Sequence, residues 1–187
     1  MNYLISICTS SFKEFKNVKS ITLGAMLIAI YAVSYAPYVG NIIIVPGVIE
    51  IRFGFLVVAI AAMFFGPIFG GAIAVMGDVL GTILFYGGAF FWGYTLSWLI
   101  QAIVFGFILY HAKPSLVRII ICMLFNTLVI NLLFTTACET LMGFGTFEAL
   151  FVRRIFLNAI MLPVNTVLSY FILTKVGQLR ERAKKAA

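Results

Sequence analysis

Long apolar runs, separated by short breaks, dominate the pattern of residues along this chain. Between Phe53 and Tyr110 there is a single charged residue, and further uncharged runs cover 20–49, 119–138 and 155–174. A helix needs about 20 mainly apolar residues to cross a bilayer. The runs are continuously apolar and do not alternate with polar residues, which argues against a transmembrane β-barrel. The pattern therefore predicts an all-α integral membrane protein.

Two breaker pairs, Gly66-Pro67 and Gly87-Gly88, divide the longest apolar run into three segments. With the other runs they predict a six-transmembrane-helix bundle with helices near 20–36, 53–66, 67–86, 93–111, 115–140 and 153–175. The second helix is short, so we expect it to be tilted little or to span only part of the bilayer. This divides the chain into an N-terminal segment (1–18), a membrane domain (19–176) and a basic tail (177–187).

Charge sets the expected orientation. The net charge is +7, and the basic residues fall unequally on the two sides of the predicted bundle. One side holds Lys13, Lys16, Lys19, Lys113, Arg118, Lys175, Arg180, Arg182, Lys184 and Lys185, and the other holds Arg52, Arg153 and Arg154. By the positive-inside rule both termini of this multi-pass protein are expected to be cytoplasmic. The basic surplus is then mostly a topology signal, and we predict no nucleic-acid partner.

Three polar stripes cross these apolar helices. Ionisable groups within spans are costly, so they usually face a cavity or a partner. The residues lie at helical spacing on one face of each helix: Asp78 with Thr82; Asn131 with Thr135 and Glu139; Arg154 with Asn158 and Asn165. Each stripe alone could simply bond neighbouring helices. Together they predict a cavity open to the outside, where Arg52 and Arg154 attract an anionic solute, although Arg153 and Arg154 could instead anchor a helix end.

Two outer segments are candidate lids. Phe90, Phe91, Trp92 and Tyr94 provide flat aromatic surfaces beside Gly87, Gly88 and Gly93. An interfacial aromatic belt would have the same composition, but the glycines favour a mobile lid over a planar ligand. The segment "YVGNIIIVPGVIEIR" is too broken to be a helix and resembles a second lid.

Catalytic and metal-binding motifs are not found in the sequence. There is no G-x-x-x-x-G-K-[ST] phosphate loop, no H-E-x-x-H and no G-x-S-x-G, and only one histidine. We therefore expect no enzyme activity, no cofactor and no metal site. If the chain drives uptake, it needs an ion gradient or a partner ATPase.

The chain resembles the substrate-binding S components of energy-coupling factor (ECF) vitamin transporters, and specifically the folate-type members. The resemblance runs from about 21 to 175 through "GAMLIAIYAV", "IRFGFL", "FGPIFGGAIAVMGDVLG", "GGAFFWGYTLS", "KPSLVRIII" and "RIFLNAIMLPVN". It differs at "TTACET", where folate-type members tend towards Asn-Thr-x-Trp, so another vitamin such as riboflavin or pantothenate remains an alternative. An independent gradient-driven carrier that uses Asp78 as its ion site is a further one.

The resemblance implies a high-affinity vitamin-binding subunit that docks through Ala25 and Ala29 on a transmembrane coupling subunit bearing two ABC ATPases. Those alanines could otherwise be ordinary packing residues. For folate or a related pterin, we expect Asp78 or Glu139 to bond the pterin edge and the arginines to attract the anionic tail. The full set of expected substrate-binding residues is Arg52, Asp78, Phe91, Trp92, Tyr94, Asn131, Glu139, Arg154 and Asn158.

Overall fold

The structure, a computed structural model, describes residues 2–36, 41–45, 49–86, 90–112 and 114–186. Its helices and strands are α1 (Asn2–Lys13), α2 (Val18–Val33), β1 (Asn41–Val45), β2 (Ile49–Arg52), α3 (Gly54–Gly81), α4 (Trp92–Leu109), α5 (Leu116–Phe125), α6 (Thr135–Leu141) and α7 (Phe147–Ala186). A 3₁₀ turn (Glu14–Lys16) joins α1 to α2, and π-helical turns follow α3 (Thr82–Tyr86) and join α5 to α6 (Asn126–Phe134).

The longest helix of the core, α3, reverses direction at Gly66. This glycine has φ 81° and ψ −172°, which is not a helical conformation. A Cβ placed on Gly70 would lie 2.9 Å from the Cα of Ala62, whereas eight residues of continuous helix would separate two Cα atoms by about 12 Å along the axis. Residues 54–65 and 67–81, named here the first and second arms of α3, therefore pack side by side, as the Gly66-Pro67 break predicts.

Two residues from the ends of the chain complete this turn. The hydroxyl of Ser11, fully buried, donates to the carbonyl of Phe65 and accepts from the backbone N–H groups of Ile68 and Phe69. The guanidinium of Arg180 donates to the carbonyl of Met63 at 3.0 Å. A helix end leaves such groups without intrahelical partners. Ser11 thus caps the start of the second arm, and Arg180 caps the end of the first.

The core is built around α3. Met63 packs with Phe105 and Leu109 of α4, Ile119 of α5 and Leu173 of α7, all at most 1 % exposed. The most apolar window of 54–85 is 78 % buried, against 6 % for that of α7. The helix α3 is therefore central, and α7 lies at the periphery.

The outer surface of the bundle is apolar. Large exposed side chains occur on most of its helices, among them Met26, Leu96, Val117, Phe156 and Phe171. A soluble protein rarely exposes such continuous apolar surface, whereas lipid solvates it without cost. This supports a membrane protein.

By length and composition alone, four helices of the described part are able to cross a membrane: 54–85, 92–109, 116–141 and 147–180. Counting the bent pair 4–16 and 18–33 as one span gives up to five. Because the turn at Gly66 divides the first of these into two arms, the bundle has the six predicted helical segments. The first arm has 12 residues, or about 18 Å of helix, and so spans only part of the bilayer.

Several predicted boundaries were wrong. The last helix begins at Phe147 and runs to Ala186, so the predicted basic tail continues α7; its residues are mostly strong helix formers. The N-terminal segment contains α1, which was not predicted. Residues 41–45 and 49–52 pair as antiparallel strands with Asn41 opposite Arg52, which adds a small sheet to the helical bundle.

Candidate functional site

The site lies at the end of the bundle that carries residues 90–94 and 142–146, named here the loop end. The opposite end, with the Gly66 turn and residues 110–115, is named the turn end. The residues expected to bind substrate lie on the half of the bundle nearer the loop end or within the strand β2.

Asp78 joins three helices. It lies in the second arm of α3 and is 2 % exposed. One carboxylate oxygen accepts from the hydroxyl of Thr95 in the first turn of α4, at 2.6 Å, and the other accepts from the hydroxyl of Tyr35, just after α2. Both donors are neutral. The buried carboxylate therefore accepts hydrogen bonds from two neutral hydroxyls. If a ligand took the place of these hydroxyls, no charged side chain would lose its partner.

Two glycines allow this close packing. A Cβ on Gly77 would lie 2.2 Å from Cδ1 of Tyr31, and a Cβ on Gly81 would lie 2.5 Å from Cδ2 of Tyr35. The tyrosine rings rest directly on the backbone of α3 as a result. Gly77 and Gly81 therefore serve the packing of α2 against α3.

The aromatic cluster divides into two pairs. Phe91 contacts Tyr94 edge to face with ring centroids 5.9 Å apart, and Phe90 contacts Trp92 in the same way at 4.9 Å. Trp92 is 72 % exposed, so it lies on the outer surface of the protein. Phe91 and Tyr94 are half-buried and face the bundle. The predicted breaker Gly87-Gly88 lies outside the described residues.

A glycine connects this cluster to α6. A Cβ on Gly93 would lie 2.3 Å from the ring of Phe91 and 2.7 Å from Sγ of Cys138. The start of α4 therefore touches α6 one residue from Glu139. One continuous region of the protein therefore contains Asp78, the Phe91–Tyr94 pair and Glu139.

Arg154 and Glu139 form an ion pair across α7 and α6. The guanidinium donates from Nε and Nη2 to the two carboxylate oxygens, and Nη1 donates to the carbonyl of Asn131 at 3.1 Å. The side chains are 20 % and 24 % exposed, respectively. This forked arrangement is the one in which arginine also binds carboxylate ligands.

A π-helical turn explains how Asn131 takes part. Between α5 and α6 the hydroxyl of Thr135 donates to the carbonyl of Ile130, five residues earlier. Asn131 lies within this π-helical turn, and its backbone carbonyl accepts from Arg154. The sequence indicated a stripe of side chains at spacing four, but it is the backbone of Asn131 that makes this contact.

Two amides of α7 have buried polar atoms without a hydrogen-bond partner among the described residues: Nδ2 of Asn158 and Oδ1 of Asn165. Asn158 lies one turn from Arg154. Buried polar groups are almost always paired, so an unpaired amide beside an arginine fork is a signal for a bound polar group.

The remaining predicted residues are placed as follows. Arg52 ends β2 at the loop end, but its side chain lies outside what the structure describes. Ala25 and Ala29 are exposed on α2, whereas Gly24 faces Phe69 of α3. Within the described residues, His, Cys, Asp and Glu form no group of three that could hold a metal ion.

Sequence reasoning missed Tyr35 and Thr95 as partners of Asp78. Thr95 stands within the glycine-rich aromatic stretch, where a hydroxyl at the start of a span is a weak signal. Tyr35 ends an apolar run after Ser34, where an interfacial tyrosine is expected in any membrane helix.

Comparison with protein families matches residues 19–173 to the family described as "ECF transporter, substrate-specific component". The chain belongs to this family. A curated relative is the "Folate transporter FolT" of Clostridium novyi (strain NT), which is 34% identical over 109 residues, 58% of this chain. That match spans 63% of the relative's own length.

A solved structure with the same fold is described as "Crystal structure of FolT bound with folic acid". It aligns with a TM-score of 0.75 at 27% identity, over 85% of this chain and 95% of that one. These findings confirm the resemblance to folate-type S components and the helical membrane fold. They also make this chain a substrate-specific component of a transporter, located in a membrane that it crosses several times.

Proposed function

We propose that this S component binds folate or a related pterin at its loop end and delivers it for uptake. The observation that carries the proposal is the arginine fork of Arg154, held by Glu139 in the same region as the buried carboxylate of Asp78. Folate has an anionic glutamyl tail and a flat pterin with an amino-imino edge. The names of the similar curated protein and solved structure support the same ligand.

The two acids have different roles in this proposal. Both carboxylate oxygens of Glu139 accept hydrogen bonds from the charged guanidinium of Arg154. A neutral ligand group that displaced Glu139 would leave this guanidinium without an anionic partner, whereas an anionic ligand would supply one. Asp78 is bonded by two neutral hydroxyls. Asp78 is therefore the acid that turns to the pterin edge, and Glu139 is the counter-charge that aligns Arg154 for the tail.

The remaining groups complete the site. Phe91 and Tyr94 stack on the pterin, since aromatic faces bind flat rings with little loss of entropy. The amide of Asn158 donates to the tail beside Arg154. We assign Trp92, exposed at the surface, to cover the ligand, and Arg52 to attract the anionic tail.

Energy for uptake comes from outside this chain. The loop end faces the outside, both termini are cytoplasmic, and the protein resides in the plasma membrane of a prokaryote. Ala25 and Ala29 provide an exposed, smooth surface on α2, which fits closely approaching helices. A transmembrane coupling subunit docks there and brings two ABC ATPases.

A binding experiment on the purified chain in detergent tests the ligand. Folate, 6-hydroxymethylpterin, riboflavin, thiamine and pantothenate are titrated by isothermal calorimetry or by quenching of Trp92 and Trp98. We expect folate to bind below micromolar concentration and the other vitamins not to bind. Tight binding of riboflavin or pantothenate with none of folate would refute the ligand and keep the family.

Reconstitution tests the energy source. In proteoliposomes with the chain alone, we expect binding without accumulation of folate under a proton or sodium gradient. Accumulation with the chain alone would overturn the proposal in favour of a gradient-driven carrier.

A further inference from the structure

The N-terminal helix α1 has three distinct faces. Ile7 and Ser11 are buried against the turn end of the bundle. At 100° per residue, the next arc carries Leu4, Ile5 and Phe12, which are 52 %, 55 % and 58 % exposed. The third arc is polar and contains Ser6, Thr9 and Lys13.

This helix lies across the direction of the bundle. The axis of 4–16 makes an angle of 90° with that of α2. The sequence predicts that the span near 20–36, which contains most of α2, crosses the bilayer by itself. A helix perpendicular to such a span runs parallel to the membrane plane. The exposed apolar arc of α1 is then not part of the protein core, and it does not lie along the membrane-spanning helices.

The corner between α1 and α2 is fixed by several contacts. The hydroxyl of Ser20 donates to the carboxylate of Glu14, and the side chain of Asn17 accepts from the N–H of Lys19. Phe15 contacts Phe69 edge to face at 4.6 Å between centroids. The perpendicular arrangement is therefore built into the fold.

Exposed lysines surround the corner. Lys13, Lys16 and Lys19 are all exposed, and the acid among them, Glu14, is engaged by Ser20. A cluster of lysines beside an apolar arc is the combination that binds the surface of an anionic bilayer.

We propose that α1 is an interfacial helix that embeds its Leu4–Ile5–Phe12 arc in the acyl boundary of the bilayer at the turn end. Lys13, Lys16 and Lys19 contact anionic lipid headgroups, and the arc with Ser6 and Thr9 faces water. Because Ser11 caps the Gly66 turn, the depth of α1 in the bilayer is coupled directly to the central helix. The proposal does not depend on which vitamin the chain binds.

Site-directed spin labelling of the full chain in nanodiscs tests this arrangement. Single cysteines replace Ile5, Phe12, Ser6 and Thr9 in turn in a Cys8→Ser background, since Cys122 and Cys138 are buried and protected from label. Collision rates with oxygen, which concentrates in lipid, and with a water-soluble nickel chelate are then measured. We expect labels at 5 and 12 to favour oxygen and labels at 6 and 9 to favour nickel.

Equal nickel access at all four positions would overturn the proposal. Labels at 5 and 12 that become shielded only after the purified coupling subunit and ATPases are added would also overturn it, because the arc would then be a protein-docking surface. Gel filtration of each labelled variant in detergent verifies that it remains monodisperse.

The lysines are tested with the label at 12. In discs of phosphatidylcholine with phosphatidylglycerol, we expect this label to lie deeper than in phosphatidylcholine alone. Replacing Lys13, Lys16 and Lys19 by Gln should remove the difference, while replacing the exposed Lys175 and Arg182 of α7 should not. The same depth in both lipids for the unmodified chain would refute the role of the lysines.

Discussion

The ion pair between Arg154 and Glu139 makes opposite predictions for its two members. If Arg154 binds the anionic tail of the ligand and Glu139 only aligns it, Arg154→Gln weakens folate binding and Glu139→Gln does not. If the pair is merely structural, the two variants have the same effect on binding. The pair is therefore the sharpest place at which to test the site.

The magnitudes follow from the exposure and geometry of the pair. With side chains 20 % and 24 % exposed, solvent screening limits the pair to roughly 1 kcal/mol. A charge-assisted hydrogen bond from Arg154 to a ligand carboxylate contributes about 1.5–3 kcal/mol. We therefore expect Arg154→Gln to weaken folate binding by about ten- to a hundredfold, and Glu139→Gln to leave it unchanged or to tighten it by up to about fivefold.

Calorimetric titration of folate and of 6-hydroxymethylpterin, which lacks the tail, measures both effects. Arg154→Gln should weaken folate binding and leave the affinity for the tailless pterin unchanged. Arg153→Gln removes the same charge from the adjacent residue and serves as the matched control. Equal losses for Arg154→Gln and Glu139→Gln, or an equal loss for the tailless pterin, would refute the reasoning.

Three further predictions concern the bundle. Ser11→Ala removes a cap from the second arm, so it should lower the free energy of unfolding by about 1–2 kcal/mol. The loss is measured as a fall in the thermal midpoint followed by tryptophan fluorescence. Ser6→Ala, at an exposed serine of the same helix, is the control, and equal midpoints for the two variants would contradict the capping role. Gln101 is fully buried, and its amide has no hydrogen-bond partner within the described part of the chain. Gln101→Leu should therefore raise the same thermal midpoint, because it removes a desolvation cost of about 1–3 kcal/mol. A lower midpoint would show that the amide forms hydrogen bonds in the native protein. Replacing both Ala25 and Ala29 by Leu should abolish uptake in cells and retain folate binding in detergent, and lost binding would place these exposed residues in the fold of the S component.

The helical segments were predictable because hydrocarbon imposes length and polarity on each span. The break at Gly66 was also predictable, since a glycine before a proline seldom continues a helix. By contrast, the π-helical turn at 126–134 was not, because a run that is apolar on all sides carries no periodicity from which its turn width could be derived.

Contacts between distant residues were the other limit. Asp78 stood out as a lone acid, but its partners Tyr35 and Thr95 are ordinary residues for the ends of membrane helices. In the sequence, Arg180 was only one of the basic residues that predict the orientation of the bundle. In the structure it caps the first arm of α3. Such pairings follow from the packing of helices far apart in sequence, which local patterns do not encode.

The double capping of the Gly66 turn has a consequence for biosynthesis. Ser11 is synthesised before the turn that it caps, but Arg180 follows Met63 by 117 residues. The Gly66 turn thus receives the hydrogen bonds of Arg180 only after α4, α5 and α6 have been synthesised. Until then the carbonyls of Met63 and Phe64 lack the guanidinium that caps the first arm of α3 in the folded protein.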